Sequence, residues 1–78
     1  MQKYQYKVET KYFKNDLLQV ATISYIYDGI IDTEQLLSFT TSQIKANTTY
    51  NKFYSYVYIN IYNCNDEIIG RKEMKLGV

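Results

Sequence analysis

Tyr54-Ser55-Tyr56-Val57-Tyr58-Ile59-Asn60-Ile61-Tyr62 alternates phenol and aliphatic side chains along most of its length. Alternation at every second residue marks a β-strand with unlike faces. One face carries Tyr54, Tyr56, Tyr58, Asn60 and Tyr62; the other carries Val57, Ile59 and Ile61. The aliphatic set makes an ordinary core face, which leaves the phenol rings looking outward.

The residues after this strand extend the pattern. Asn65-Asp66 suits a two-residue hairpin turn, because both residue types tolerate positive φ. Such a turn sets Cys64 opposite Glu67, Tyr62 opposite Ile69, Asn60 opposite Arg71, Tyr58 opposite Glu73 and Tyr56 opposite Lys75. On the other side Ile61 meets Gly70, Ile59 meets Lys72, and Val57 meets Met74. The last strand is expected over Glu67 to Leu76, with Gly70 marking a bulge. Its aliphatic side, with Val57, Ile59 and Ile61, is the seat for a helix; Lys72 fits there only by snorkelling past the sheet edge.

Upstream, Lys3 to Phe13 alternates Tyr4, Tyr6, Val8, Thr10 and Tyr12 with Gln5, Lys7, Glu9 and Lys11, a half-buried strand. Asn15-Asp16 provides its turn, and Leu17 to Tyr27 is rich in β-branched and aromatic residues. Asp28-Gly29 ends it. A two-residue turn at Asn15-Asp16 places Val8 opposite Ile23, Tyr6 opposite Tyr25 and Thr10 opposite Ala21. The helix is then expected on the Val8, Ala21, Ile23 side, with Lys3, Lys7 and Lys11 outward beside the later tyrosines.

The helix has the clearest signals. Asp32 is an N-cap and Gln35 completes a capping box, with Ile31 and Leu36 as a hydrophobic staple. Glu34 in the first turn and Lys45 in the last agree with the helix dipole. Leu36, Leu37, Thr40 and Ile44 share a face, with Phe39 at its border. The helix runs from Thr33 to Ala46, with Asn47 as a left-handed residue closing it, and a loop over Asn47 to Lys52 leads into the tyrosine strand. The expected fold is a single α+β domain over residues 1–78: a four-stranded, mainly antiparallel sheet in ββαββ order with one helix on one face.

Chemistry is limited by composition. The 78 residues contain no histidine, tryptophan or proline and one cysteine, Cys64. Without histidine the commonest general base is missing, and no partner activates the thiol. Asp16, Asp28, Asp32, Glu34, Asp66 and Glu67 lie at turns and a helix start, where turn formation and capping explain them. Gly29, Gly70 and Gly77 form no phosphate-binding loop. No catalytic residue, metal site, cofactor or small-molecule substrate is expected, and the chain reads as a non-enzyme. Met1 to Lys7 lacks the apolar core of a signal peptide and no apolar run spans a bilayer, so a cytoplasmic protein without a membrane partner is expected. The abundance of Lys, Asn, Ile and Tyr fits an AT-rich bacterial or phage genome.

Function is then expected through contact. Tyr54, Tyr56, Tyr58 and Tyr62 are candidate anchors of a protein interface, with Arg71, Glu73 and Lys75 setting orientation. The partner is another protein or a second copy of the chain. Two alternatives stand beside this. Tyr56 and Tyr58 with Lys7, Lys11, Arg71 and Lys75 could stack and neutralise single-stranded nucleic acid, although a net charge of +1 gives little general attraction for phosphate. The tyrosines could also serve the sheet alone, as cross-strand pairs or within a homodimeric structural protein.

Two strands followed by a helix opening Asp32-Thr33-Glu34-Gln35-Leu36, in so short a chain, resemble small phage-encoded anti-CRISPR proteins. The local match is those five residues; the rest is size and the lack of a catalytic set. The resemblance implies inhibition of a bacterial defence complex by steric occlusion, and it carries over no functional residue.

Overall fold

The computed structural model describes residues 3–27, 29 and 31–77. Strands β1 (Tyr6–Lys14) and β2 (Leu17–Ile26) form the first hairpin. Helices α1 (Thr33–Ala46) and α2 (Thr48–Phe53) follow, and β3 (Tyr56–Tyr62) and β4 (Ile68–Lys75) form the second hairpin. All strands join one four-stranded sheet in the order β2-β1-β3-β4, with every neighbouring pair antiparallel. The α+β class and the ββαββ order of the main elements hold. Strands β2 and β3 run in the same direction with β1 between them, so their connection must cross the sheet, and the helices make that crossing.

The core lies between α1 and one face of the sheet. Val57, Ile59 and Ile61 are 0% exposed and pack with Val8, Tyr12, Leu36 and Ile44. The aliphatic side of β3 therefore faces the helix, as its alternation predicts. Asp32 caps α1 by accepting a hydrogen bond from the Gln35 N–H at 2.8 Å, while Gln35 Oε1 accepts from the Asp32 N–H at 3.3 Å. Helix α1 spans the predicted residues.

Four expectations are corrected. First, residues 48–53 form α2 rather than a loop, and Asn47 is not left-handed (φ −85°, ψ 85°). Asn47 instead caps α2, its side chain accepting from the Tyr50 N–H. The Asn51 amide donates to the carbonyls of Ile44, Lys45 and Asn47, so the end of α1 is satisfied without a left-handed residue.

Second, the two hairpin turns differ. Asn15 and Asp16 both have positive φ, 52° and 65°, as a two-residue turn of the primed type requires. In the second hairpin only Asp66 does, at 60°. There the Asn63 N–H donates to the Glu67 carbonyl and the Asp66 N–H to the Asn63 carbonyl, enclosing a three-residue loop.

Third, the β1–β2 register shifts between Tyr12 and Phe13, making Gln19 an extra residue on β2. Val8 then faces Ser24, not Ile23; Tyr6 faces Ile26; Thr10 faces Thr22. A one-residue slip exchanges the faces of a strand, so Ala21, Ile23 and Tyr25 lie on the outer side. In the second hairpin a bulge between Ile61 and Tyr62 offsets the longer loop. Every predicted pair from Ile61–Gly70 to Tyr56–Lys75 is therefore present. Tyr62 pairs with Ile68 instead of Ile69, and Cys64 falls in the loop, its expected partner Glu67 bonding to Asn63 instead.

Fourth, Tyr54 does not belong to the outward row. It is the residue after α2, and its ring lies 5.3 Å from the ring of the buried Tyr12 on the helix side. Asp28, expected to help end β2, lies outside the described residues.

Candidate functional site

Strand pairing places the outer face in four rows across the sheet. Tyr25, Lys7, Tyr62 and Ile68 form one row; Ile23, Glu9, Asn60 and Arg71 the next. Ala21, Lys11, Tyr58 and Glu73 follow, then Leu18, Phe13, Tyr56 and Lys75. The sequence-predicted residues Tyr56, Tyr58, Tyr62, Arg71, Glu73 and Lys75 are thus brought together. Tyr54 is not, for the reason given above.

Aromatic rings gather at both ends of this face. At one end the Tyr25 ring lies 5.0 Å from that of Tyr4 and 6.4 Å from that of Tyr27, in the row that holds Tyr62; the mutually packed three-ring cluster is at the other. Phe13 stacks on Tyr56 with centroids 5.0 Å apart and planes 8° from parallel. Tyr58 meets both rings edge-on, at 5.3 Å from Phe13 and 5.4 Å from Tyr56. Such pairs fix ring orientation and each contribute about 0.5–1.5 kcal/mol beyond burial. The rings are half-buried, by one another. The Tyr56 hydroxyl donates to Asp16 Oδ1 at 3.2 Å. Partial burial and that carboxylate both push the Tyr56 phenol up.

Glu9 organises the middle of the face. It accepts from Asn60 Nδ2 at 3.2 Å and from the Tyr62 hydroxyl at 3.0 Å, with Lys11 Nζ 3.8 Å away. Burial, then the bond to Glu9, pushes the Tyr62 phenol up. Lys7 Nζ sits 4.5 Å above the Tyr62 ring and 3.3 Å from Asp66 Oδ1, while Tyr4 donates its hydroxyl to the same Asp66 oxygen. Lys7 and Lys11 are therefore each matched by a carboxylate on this face.

Phe13, Glu9, Ile23 and Tyr25 belong to this surface and were not among the predicted site residues. Phe13 shares the odd-numbered parity of Lys7, Glu9 and Lys11, so the pattern contained it. Ile23 and Tyr25 were hidden by the bulge at Gln19. On the helix side, α1 leans over β3 and β4 and leaves the β2 side open. The resulting groove of about 420 Å³ is walled by Thr22, Ser24 and Ile26 below and Phe39 and Gln43 above.

Among the described residues no three His, Cys, Asp or Glu side chains gather to hold a metal. No helix there is long and apolar enough to cross a membrane. Cys64 is exposed in the second turn. Comparison with family models, with curated proteins and with solved structures finds no match to this chain.

Proposed function

We propose that this chain is a non-catalytic binding protein that acts by protein–protein contact through the outer face of its sheet. The Phe13–Tyr56–Tyr58 cluster carries this reading. It presents rigid aromatic area at the end of a sheet face that no described element covers. Tyrosine and arginine are among the residues most enriched where interfaces concentrate their energy. Arg71, Glu73 and Lys75 on β4 supply a mixed-charge rim. The carboxylates of Glu9 and Glu73 on the same face favour a protein surface over a nucleic-acid backbone, since each would repel phosphate. In the reading closest to the anti-CRISPR resemblance, the chain is a phage or mobile-element inhibitor that occludes a bacterial defence complex in the cytoplasm.

The test is affinity capture from a bacterial lysate, comparing the natural chain with Tyr56→Ala/Tyr58→Ala. A stoichiometric protein partner retained by the first and lost by the second is expected. Equal capture by both overturns the assignment. Capture that disappears on nuclease treatment, with affinity falling steeply with salt, favours nucleic acid instead.

A further inference from the structure

The two edges of the sheet are chemically opposite. Edge strand β4 carries Arg71, Lys72, Glu73 and Lys75. Charges of this kind, lysine above all, protect a free edge from pairing with another chain. Edge strand β2, Leu17–Ile26, is ten residues long and contains no charged residue and no proline. Its single irregularity, the bulge at Gln19, lies beside the turn and leaves Val20 to Ile26 regular. An uncharged, regular edge of this length is a template for a further strand.

The residue pattern of this edge says which strand. From Val20 to Ile26 the order of polar and apolar residues is symmetric about Ile23. Thr22 mirrors Ser24, Ala21 mirrors Tyr25, and Val20 mirrors Ile26. We propose that β2 pairs antiparallel with β2 of a second copy of the chain, in a two-fold register centred on Ile23. Ile23 then faces its own copy on the outer side, and each Tyr25 ring covers the small Ala21 of the other chain. On the helix side Thr22 meets Ser24 and Val20 meets Ile26. Every polar residue meets a polar one and every apolar residue an apolar one.

The fold leaves room for this. Helix α1 is displaced toward β3 and β4, so nothing described overhangs the β2 edge except the exposed Phe39 ring above the open groove. Ile23 (51%), Tyr25 (47%), Tyr27 (50%) and Phe39 (57%) are large apolar side chains left about half in water along this edge. An aromatic side chain buries about 150–250 Å² in full. These residues therefore offer several hundred Å² per copy before the strand backbone is added, against roughly 800 Å² per partner in a standard interface. Pairing would join the two sheets and double the outer face without covering Phe13, Tyr56 or Tyr58. The dimer is thus independent of the contact function proposed above.

Sedimentation equilibrium of the full chain is expected to give twice the 9.3 kDa protomer mass. Ile23→Lys sets like charges opposite each other at the two-fold and should weaken association by about tenfold or more. Since Ile23 is exposed, far-UV circular dichroism of this variant should be unchanged. In a Cys64→Ser background, Ile23→Cys should cross-link on mild oxidation. Opposed Cα atoms in an antiparallel pair, about 4.5–5.5 Å apart, suit a disulfide. Ala21→Cys alone should not cross-link, whereas Ala21→Cys mixed with Tyr25→Cys should. A monomer at high micromolar concentration overturns the proposal and leaves the edge to a strand from another protein. So does a dimer that survives Ile23→Lys, and a dimer broken instead by Tyr56→Ala/Tyr58→Ala places the contact on the outer face.

Discussion

Gly70 lies so close to Thr33 that a Cβ built on its backbone would stand 2.7 Å from Thr33 Cγ2. The same atom would be 3.4 Å from Leu37 Cδ1 and 3.6 Å from Ile61 Cβ. This is where the first turn of α1 meets the sheet. The helix can lean over β4 because β4 has no side chain at that point. That lean seals Val57, Ile59 and Ile61 and opens the groove above β2. One glycine thus links helix placement to which sheet edge is left free.

Gly70→Ala should therefore destabilise the fold by about 1–3 kcal/mol, the usual cost of overpacking. Thr33→Ser removes the obstructing methyl group and should recover much of that loss in the double variant. Urea unfolding of the four proteins in the cycle checks both parts. Independent, additive effects would contradict the contact.

The capping box predicts a second loss. Asp32→Ala removes the acceptor for the Gln35 N–H and should cost about 1 kcal/mol. Gln35→Ala removes only the reciprocal bond to the Asp32 N–H, which is longer at 3.3 Å, and should cost less. Thermal unfolding followed at a helix wavelength gives the ranking.

Glu9 is the acceptor for two side chains on the outer face, and Asn60 is 9% exposed. Glu9→Ala strands the Asn60 amide without its partner and should cost about 1–3 kcal/mol. Glu9→Gln keeps an acceptor and should cost less. If Glu9→Ala were as stable as the natural chain, the central network would have no structural role.

Acid should weaken the tie between the start of the first hairpin and the β3–β4 turn. Asp66 is held below its ordinary value of 3.8, first by the Tyr4 hydroxyl and then by Lys7. A depressed carboxylate stabilises fully above its unfolded value, and that contribution is lost as pH falls through the lower folded value. Tyr4 is pushed up to about 12, chiefly by the same bond, so its share holds below the ordinary phenol value of 10.0 and is lost as pH rises through about 12. The Asp66 side chain is 64% exposed, so the effect is small. Asp66→Asn keeps a residue that tolerates φ 60° and still accepts from Tyr4. Its melting temperature should fall less steeply below pH 4 than that of the natural chain, and parallel acid limbs would contradict the assignment.

Residue patterns made most of this fold legible, and the failures lie at bulges, turns and the ends of elements. Period-two alternation sided β3 correctly, and the capping box placed the start of α1; its end at Ala46 is as expected, although Asn47 is not the left-handed residue expected to close it. Register carried the outer face only where its errors cancelled. Around Asn65-Asp66 an unforeseen loop residue and an unforeseen bulge offset each other, so Arg71, Glu73 and Lys75 stand where the simple turn puts them. Around Asn15-Asp16 the turn was right and the bulge at Gln19 was not foreseen, so β2 shows its other face. Bulges insert residues without a strong composition signal. Helix α2 escapes the pattern because Asn47 both follows α1 and caps the start of α2. Tyr54 was carried outward by parity alone, although parity holds only inside a strand.

The most direct test compares the two sides of the sheet against one captured partner. Titration calorimetry should be run on Tyr56→Ala, Tyr58→Ala and the helix-side Phe39→Ala, each with unchanged near-native circular dichroism. Tyr56 or Tyr58 should each weaken binding by about 30-fold, the effect of ~2 kcal/mol, while Phe39→Ala leaves it within about twofold. Full affinity in both tyrosine variants, or a loss confined to Phe39→Ala, would put the working surface on the other side of the sheet.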